Sequence, residues 1–551
     1  MSLLVISLVL TCAVMIVSVS DAARILVVVP TPSISHQVVF RPLVQELLKR
    51  GHELVVITTD PAFPKGKAPA NLTEIDMHDF SYEKWRSTFL ATTSSEDNDL
   101  FNQVKVGLKT INELTIEQLQ KPEFEKILKD KSKPFDLLLL EAIARPALAL
   151  THILKAPAIQ ISSFGSMNGN YETMGAPVHP ILYPQFLRLR VYNLTFWDKV
   201  SELYRYGKIL FNSYISEGIE NELIKKAFGR DMPEISELLN NSTVGHGSPL
   251  MLVSVQHLII IIILPFSQFH LGSAQRVFLL HSPLSHAIST FTPILAMSSF
   301  TQSIHLFFGL PLPKYLDDST NGAIYMSFGT NVNTTMFSPK TIQLFLNVFK
   351  KLPYNIIWKL DHNELHGKPA NVVISKWLPQ SDLLSKWHPN IKLFITQAGL
   401  QSTDEAITAG VPLIGIPLLG DQWYNAEKYV LHKIGVQLDM SSLTEEQLNS
   451  AINTVINDKS YAANIRHLNS VMRDQPMKPL ERAIWWIEYA LRHRGAKHLR
   501  SPGANISWSQ YLELEFVAKL LFLLTATILT TPATKLLRLL WLLSINFECF
   551  R

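Results

Sequence analysis

The most informative stretch of this chain runs Phe394-Ile-Thr-Gln-Ala-Gly-Leu-Gln-Ser-Thr-Asp-Glu405. An apolar strand over residues 393–396 leads into a turn of small residues, Ala398-Gly399, and we expect a helix to open at Ser402/Thr403. A second apolar strand, residues 411–416, follows at once. A strand, a small-residue turn and a helix present backbone N–H groups and a positive helix terminus, where an anion can bind. An ordinary βαβ unit without a ligand has the same local pattern.

The alternation of strands and helices extends outward from this stretch through the whole chain. In the first half, short apolar runs predict buried strands at residues 24–30, 54–58, 135–140 and 158–162, with a helix over 38–50 that ends at Gly51. In the second half, they predict strands at residues 323–328, 355–359, 372–374, 393–396 and 411–416. Alternating strands and helices imply doubly wound parallel sheets, so the fold class is α/β with two Rossmann-like domains.

Length and composition agree with two domains and exclude some functions. The 551 residues are too many for one core and fit two domains of roughly 200–250 residues each. The net charge of +4 is spread without a basic stripe, which argues against a nucleic-acid partner. The two cysteines, Cys12 and Cys549, lie at the chain ends, so the body between them cannot use disulfides.

Both ends of the chain carry apolar segments. Residues 1–20 form a continuous apolar run that ends in Ser18-Val19-Ser20 and is typical of a secretory signal peptide, although no Lys or Arg stands near its start. An uncleaved anchor is the alternative. Near the other end, residues 516–530 are apolar apart from Lys519, and Lys535 and Arg538 follow. We expect a transmembrane helix over 512–534 with those cations on the cytosolic side, the alternative being a buried terminal helix.

One internal segment fits neither half. Residues 238–316 contain no Asp or Glu, and Arg276 is the only Lys or Arg between Met251 and Pro313. The run 258–265 is apolar but too short to span a bilayer. A retained intron or another gene-model error would explain this anomalous segment, residues 251–313, and so would a genuine insertion.

The long motif around residue 400 resembles the signature of one enzyme family. The run from Phe394 to Glu405, continued by Gly410-Val-Pro-Leu-Ile-Gly-Ile-Pro417 and Gly420-Asp-Gln422, is similar to that of the membrane-bound UDP-glycosyltransferases of animals, particularly insects. The resemblance resumes after the anomalous segment at Pro311. It implies the GT-B arrangement, in which two Rossmann-like domains face each other.

The resemblance implies this organisation: signal peptide 1–20, acceptor-binding domain 21–250, linker 251–313, UDP-sugar-binding domain 314–495, juxtamembrane segment 496–511, transmembrane helix 512–534 and cytosolic tail 535–551. It implies an inverting transfer of a hexose, glucose by the insect-like resemblance, from a UDP-sugar to a small lipophilic alcohol or phenol. The implied roles are detoxification or hormone and pigment conjugation. The implied location is the endoplasmic reticulum membrane, as a single-pass type I protein with lumenal catalytic domains.

A catalytic pair is expected in the first domain. His36 is predicted in a loop after the first strand, before a helix that starts near Val38, and so at the crevice where α/β proteins bind ligands. A histidine, with an ordinary pKa of about 6.5, suits a general base. The family match at Ser35-His36 implies this role for His36. Such a base needs a carboxylate to fix its tautomer, and Glu141 stands directly after a strand where the family usually has aspartate.

Donor-site residues are carried over from the family motif in the second domain. Trp377 is expected to stack on uracil and Gln380 to pair with its polar edge. The phosphate contacts are predicted at Ser327, Gly329, Gln397, Gly399, Gln401 and Ser402, with Glu405 in the first helical turn on the ribose and Asp421 and Gln422 on the transferred sugar. A helix N-cap is an alternative role for Asp421.

Two positions of the motif depart from the family pattern. Gln397 replaces the usual histidine and offers an uncharged, weaker phosphate contact. Ala398 replaces the usual glycine and is strained if that position needs a positive φ.

No metal site or cofactor is expected. No Asp-X-Asp motif suits a divalent ion, and the histidines are scattered; the UDP-sugar is a co-substrate. A homo- or hetero-oligomer stays open. The competing hypothesis is a membrane-anchored, catalytically impaired binding protein or a non-productive gene product.

Overall fold

The structure is a computed structural model that describes residues 22–91, 100–163, 180–181, 188, 190–240, 250–254, 312–332, 334, 337–362, 365–385, 390–495 and 507–548. The predicted signal peptide, residues 1–20, lies outside this range. Most of the anomalous segment and of the juxtamembrane segment lies outside it too.

The first half of the chain forms a six-stranded parallel sheet with the order β3-β2-β1-β4-β5-β6. Its strands are β1 (Arg24–Val29), β2 (Glu53–Thr58), β3 (Leu72–Asp76), β4 (Leu137–Glu141), β5 (Ala158–Ser162) and β6 (Leu250–Ser254). The helices around it are α1 (Ile34–Lys49), α2 (His78–Trp85), α3 (Leu100–Leu119), α4 (Pro122–Lys129), α5 (Ala149–Leu154), α6 (Phe196–Phe228) and α7 (Ile235–Asn240), with a π-helical turn at Arg86–Leu90 and a 3-10 turn at Arg145–Leu148.

The second half forms another six-stranded parallel sheet, with the order β12-β11-β10-β7-β8-β9. Its strands are β7 (Ala323–Ser327), β8 (Asn355–Lys359), β9 (Val372–Ser375), β10 (Ile391–Thr396), β11 (Leu413–Gly415) and β12 (Gly435–Gln437). The helices are α8 (Leu312–Asp317), α9 (Pro339–Lys351), α10 (Gln380–Ser385), α11 (Leu400–Ala409), α12 (Gln422–Leu431), α13 (Glu445–Asn457), α14 (Lys459–Arg473), α15 (Pro479–Arg492), α16 (Trp508–Tyr511) and α17 (Leu514–Glu548), with a 3-10 turn at Met440–Ser442.

The strands are continuous apolar runs because both faces of each sheet are covered. All five residues of β4 and of β7 are buried. Each sheet has an apolar cluster on either face, as expected when helices cover a parallel sheet on both sides. Burying both faces fixes the strand order, and the order brings the carboxyl ends of β1, β4 and β5 together.

Helix α15 connects the two halves. It belongs to the sequence range predicted for the second domain, but Ala483, Ile484 and Ile487 pack into the core of the first sheet. Arg50, directly after α1, forms an ion pair with Glu488, in which Arg50 Nη1 donates to both carboxylate oxygens, at 3.0 and 3.1 Å. Helix α15 therefore crosses back and ties the two domains together.

The anomalous segment supplies a strand. Its first residues belong to β6, which pairs in parallel with β5 from Ala158↔Leu250 to Ser162↔Ser254. The first residues of the anomalous segment therefore form the edge strand of the first sheet. The short apolar run Leu250–Ser254 is long enough to pair with a single neighbour at a sheet edge.

The predicted transmembrane helix is not found. Residues Leu514–Glu548 form one helix, α17, which continues past residue 534, where the membrane span is predicted to end. Within the described residues no helix is long and apolar enough to cross a membrane.

Candidate active site

The predicted catalytic pair forms in the first domain. His36 Nδ1 makes a short hydrogen bond with Glu141 Oε1, and the other Glu141 oxygen accepts from the Thr31 backbone N–H at 3.2 Å. Glu141 is 1% exposed. The carboxylate therefore orients the imidazole so that Nε2 lies on the side away from Glu141.

His36 lies in the first turn of α1, which corrects the predicted loop position. Ser33 is extended, with φ −151° and ψ 120°, and the helix starts at Ile34 rather than near Val38. The signal was present, because serine is a preferred N-cap residue. Ser163, which sequence reasoning missed, places its Oγ 2.9 Å from His36 Nδ1. It directly follows β5, so its position at the same sheet edge could have revealed it.

The loop after β7 and the turn after β10 interlock. Gly329 has φ +72°, and a Cβ there would lie 2.2 Å from Gln397 Nε2. The Ser327 hydroxyl accepts from the Gly329 N–H at 3.3 Å, and Gln397 Oε1 accepts from the Thr396 hydroxyl at 3.0 Å. A side chain at Gly329 would force the Gln397 carboxamide to move, and the positive φ would strain any residue other than glycine.

The turn before α11 is strained, as the sequence suggested it would be if it needed a positive φ. Ala398 has φ +65° and is fully buried. Gly399 precedes the helix, which begins at Leu400, two residues before the predicted start. Because of that shift, Glu405 lies in the second helical turn and not in the first.

Four of the predicted donor residues contact each other or the opposite domain. Gln380 Nε2 donates to Ser402 Oγ at 2.9 Å and to Glu405 Oε2 at 2.7 Å. Its carbonyl accepts from the Tyr325 hydroxyl at 3.1 Å. Gln401 Nε2 donates across the cleft to the Ser35 carbonyl. In this structure Gln380 and Glu405 therefore bond to each other, and their predicted contacts with uracil and ribose stay predictions.

The loop that carries Asp421 is braced from both domains. Gln422 Oε1 accepts from the backbone N–H groups of Leu418 and Leu419, each at 2.8 Å. From the first domain, Gln103 Oε1 accepts from the Gly420 N–H at 3.2 Å. Sequence reasoning missed Gln103, because nothing in its helical context marks it. The predicted contact of Gln422 with the sugar is untested, and its carbonyl oxygen is used within the loop.

Asp421 lies close enough to the catalytic histidine, His36, for their charges to interact. Its side chain makes no helix-capping hydrogen bond and instead accepts from Asn425 Nδ2 at 2.8 Å. Burial raises the pKa of Asp421, while the Asn425 hydrogen bond and the charges of His36 and Lys428 act in the opposite direction. Asp421 thus occupies the predicted N-cap position of α12, but its side chain does not cap the helix. The carboxylate lies within electrostatic range of His36.

A cavity of about 350 Å³ lies between the two domains. The first domain contributes Ile34, Asp60, His78, Tyr82 and Arg86, and the second contributes Thr330, Asn331 and Trp377. Trp377 is 53% exposed, so its indole face is available to a ligand. Across the described part of the chain, no group of three His, Cys, Asp or Glu side chains could hold a metal ion.

Comparison with solved structures identifies the fold class. The structure is similar to the crystal structure of the glycotransferase of kitacinnamycin, with a TM-score of 0.51 and 18% identity over 85% of this chain and 98% of that one. It is also similar to the glycosyltransferase VinC in complex with dTDP, with a TM-score of 0.50 and 13% identity over 85% and 100% of the two chains. The two facing parallel sheets are therefore those of a GT-B glycosyltransferase.

Sequence comparison identifies the family. The chain is 30% identical to an ecdysteroid UDP-glucosyltransferase of Spodoptera littoralis nuclear polyhedrosis virus, over 93% of this chain and 96% of that protein. It is 33% identical to the ecdysteroid UDP-glucosyltransferase of Lymantria dispar multicapsid nuclear polyhedrosis virus, over 92% and 94%. With UDP-glucosyltransferase 2 of Dactylopius coccus it shares 30% identity over 92% and 91%.

The family model for UDP-glucoronosyl and UDP-glucosyl transferase matches residues 273–544. The chain belongs to this family and is a UDP-glycosyltransferase. The match begins inside the anomalous segment, so the expectation that the family resemblance resumes only at Pro311 is wrong. Residues 273–313 lie within the family match.

Proposed function

We propose that this enzyme transfers glucose from UDP-glucose to a hydroxyl group of a small lipophilic acceptor, with inversion at the anomeric carbon. The observation that carries the proposal is the buried His36–Glu141 pair, which lies within electrostatic range of Asp421 on the opposite domain. A general base and a sugar-binding carboxylate on opposite walls of one cleft suit direct displacement between a bound acceptor and a bound sugar.

The proposed step is one displacement. His36 Nε2 takes the proton of the acceptor hydroxyl, and the acceptor oxygen forms a bond to the anomeric carbon. The bond from that carbon to the UDP oxygen breaks, and UDP leaves with the electron pair. Glu141 stabilises the imidazolium that results, as the carboxylate of a catalytic triad does. This pairing supports an active enzyme over a catalytically impaired binding protein.

The acceptor and the sugar are proposed from the relatives. Two viral relatives are named ecdysteroid UDP-glucosyltransferases, and an ecdysteroid is a largely apolar molecule with several hydroxyl groups. A lipophilic alcohol or phenol therefore remains the proposed acceptor class, and glucose the proposed sugar. The predicted place in the endoplasmic reticulum and the predicted roles in detoxification or conjugation stay predictions.

The test is turnover by the purified chain with UDP-glucose and with UDP-glucuronic acid, using ecdysteroid and simple phenol acceptors. We expect His36→Ala to abolish transfer and to leave UDP affinity within about threefold, because the nucleotide contacts are on the other domain. His467, an exposed histidine on α14, is the matched control, and His467→Ala should keep full turnover. A His36→Ala enzyme with more than a tenth of the original kcat would overturn the assignment of the base.

A further inference from the structure

The mechanism above leaves one buried cation at the donor site without a role. Lys359 is the last residue of β8, and it is only 8% exposed. It pairs in register with Ser327, at the end of β7. Its Nζ donates to the Gly329 carbonyl at 2.7 Å and lies 5.7 Å from the centroid of the Trp377 ring. The ammonium group is thus between the glycine loop and the exposed tryptophan.

Within the described part of the chain, the charge of Lys359 has no direct counterion. Burial lowers the pKa of Lys359, and the charge of Asp361 opposes that shift from a distance. Among the described residues, no carboxylate forms an ion pair with Lys359, and the Gly329 carbonyl is its one hydrogen-bond acceptor. A buried charge without a partner is costly.

Another buried lysine of the second domain, Lys428, is a useful contrast. Lys428 is 2% exposed, but Asp421 and Asp404 both act on its charge. Its burial is therefore explained within the protein, whereas the burial of Lys359 is not. An anion that binds beside the Gly329 loop would supply the missing counterion.

The neighbouring residues identify which anion would fit. The Gly329 loop separates Lys359 from the Gln397 carboxamide, which carries no charge. The N-terminus of α11 offers a partial charge only. These neutral groups therefore give a bound nucleoside diphosphate no full positive charge to pair with. Charge-assisted hydrogen bonds are roughly twice as strong as neutral ones, so a cation beside the diphosphate would strengthen binding.

We propose that Lys359 is the cationic contact for the diphosphate of the UDP-sugar and compensates for the uncharged Gln397. The proposal rests on the donor being a UDP-sugar. The same charge would stabilise the UDP oxygen that gains negative charge as the glycosidic bond breaks. Lys359 therefore acts on both donor binding and turnover.

The test compares ligands that differ in phosphate charge. The affinities of UDP, uridine and inorganic pyrophosphate are measured by calorimetry for the original protein, Lys359→Met and Lys359→Arg. In Lys359→Met we expect affinity for UDP and for pyrophosphate to fall roughly 10- to 100-fold and affinity for uridine to stay within about threefold. Lys359→Arg should restore most of the UDP affinity, because it keeps the charge.

Lys376 provides the matched control. It is exposed and directly precedes Trp377, so Lys376→Met removes one positive charge from the same region without removing a buried one. We expect UDP affinity to change less than threefold, since an exposed charge is screened.

Three results would overturn the proposal. Equal losses of UDP and uridine affinity in Lys359→Met would mean that Lys359 only supports the Gly329 loop. Unchanged UDP affinity would mean that it does not contact the diphosphate, and so would a Lys359→Arg variant as weak as Lys359→Met. If Lys359→Met does not fold, Lys359→Gln is measured instead. An original protein that binds UDP but transfers no glucose would count against the proposed function and leave this proposal intact.

Discussion

Replacing Glu141 by glutamine tests the catalytic pair with the smallest change in shape. The Glu141 side chain is almost fully buried and holds His36 Nδ1 and the Thr31 N–H at once. A glutamine keeps an oxygen that can accept from Thr31. It presents an NH₂ group to His36, and an NH₂ group can only donate. The imidazole would then have to carry its proton on Nε2, where it cannot accept the proton of the acceptor hydroxyl.

The expected loss follows from that change of tautomer. The corresponding change of aspartate to asparagine in serine proteases, where the geometry is kept and the tautomer is wrong, lowers kcat by about 10⁴-fold. That factor corresponds to ~5.5 kcal/mol of transition-state stabilisation. Glu141→Asp keeps the charge but withdraws the carboxylate by one methylene, and a displacement of ~1 Å costs about 100-fold. The order of activity should be Glu141, then Asp, then Gln.

The assay is kcat for glucose transfer, with UDP affinity by calorimetry as the check on the donor site. Glu220, a buried glutamate that pairs with Arg145 and accepts from Asn112, is the matched control. Glu220→Gln should keep turnover within about threefold, because it changes a buried charge without touching the histidine. A Glu141→Gln enzyme that keeps a tenth of the original kcat would refute the tautomer argument.

Three further predictions address the donor site, the domain contact and the sheet edge. Trp377→Ala should weaken UDP binding by ~1–3 kcal/mol and leave pyrophosphate binding unchanged by calorimetry; an unchanged UDP affinity would contradict stacking. In the folded protein, burial lowers the pKa of His52 below its ordinary value of 6.5. As the pH falls below 6.5, the unfolded chain therefore binds a proton before the folded protein does, and the stability that His52 contributes above that pH is lost. His52→Gln should therefore show a smaller drop in melting temperature from pH 7 to 5 than the original protein, and parallel curves would contradict this. Deleting residues 250–254 should expose the β5 edge and cause aggregation, whereas replacing 255–311 by a polar linker of about thirty residues should keep soluble, UDP-stabilised protein; equal solubility and melting temperatures for both variants would show that β6 is dispensable.

The sequence analysis predicted nine of the strands that the described residues form and missed three, β3, β6 and β12. In β3, Leu72–Asp76, only Leu72 and Ile75 are buried, so it lacks the continuous apolar run of a central strand. β12, Gly435–Gln437, is three residues long, which is too short to show a period. β6, Leu250–Ser254, is apolar but lies at the start of the anomalous segment, for which no strand was predicted. All three missed strands lie at sheet edges, where pairing with one neighbour is enough.

The candidate site was predictable where a residue follows a strand and the family motif names it. His36 and Glu141 were found in this way, because the carboxyl ends of adjacent parallel strands meet at one edge. Gln103 could not be found, since it lies within a helix and its role depends on a contact with Gly420, 317 residues away in the chain. Lys359 looked like the polar end of a strand, and only its burial without a counterion distinguishes it.

The contacts across the cleft imply that donor binding and catalysis are coupled. Ser33 donates to Asn331 Oδ1 at 3.0 Å, and Gln401 donates to the Ser35 carbonyl. Ser33 and Ser35 flank the start of the helix that carries His36. Asn331 lies in the loop after β7 and Gln401 in the first turn of α11, two segments predicted to hold the phosphates. A nucleotide that moves either segment must therefore move or release the first turn of α1. It follows that substitutions at Asn331 or Gln401 should change kcat and KM together, although neither side chain belongs to the catalytic pair.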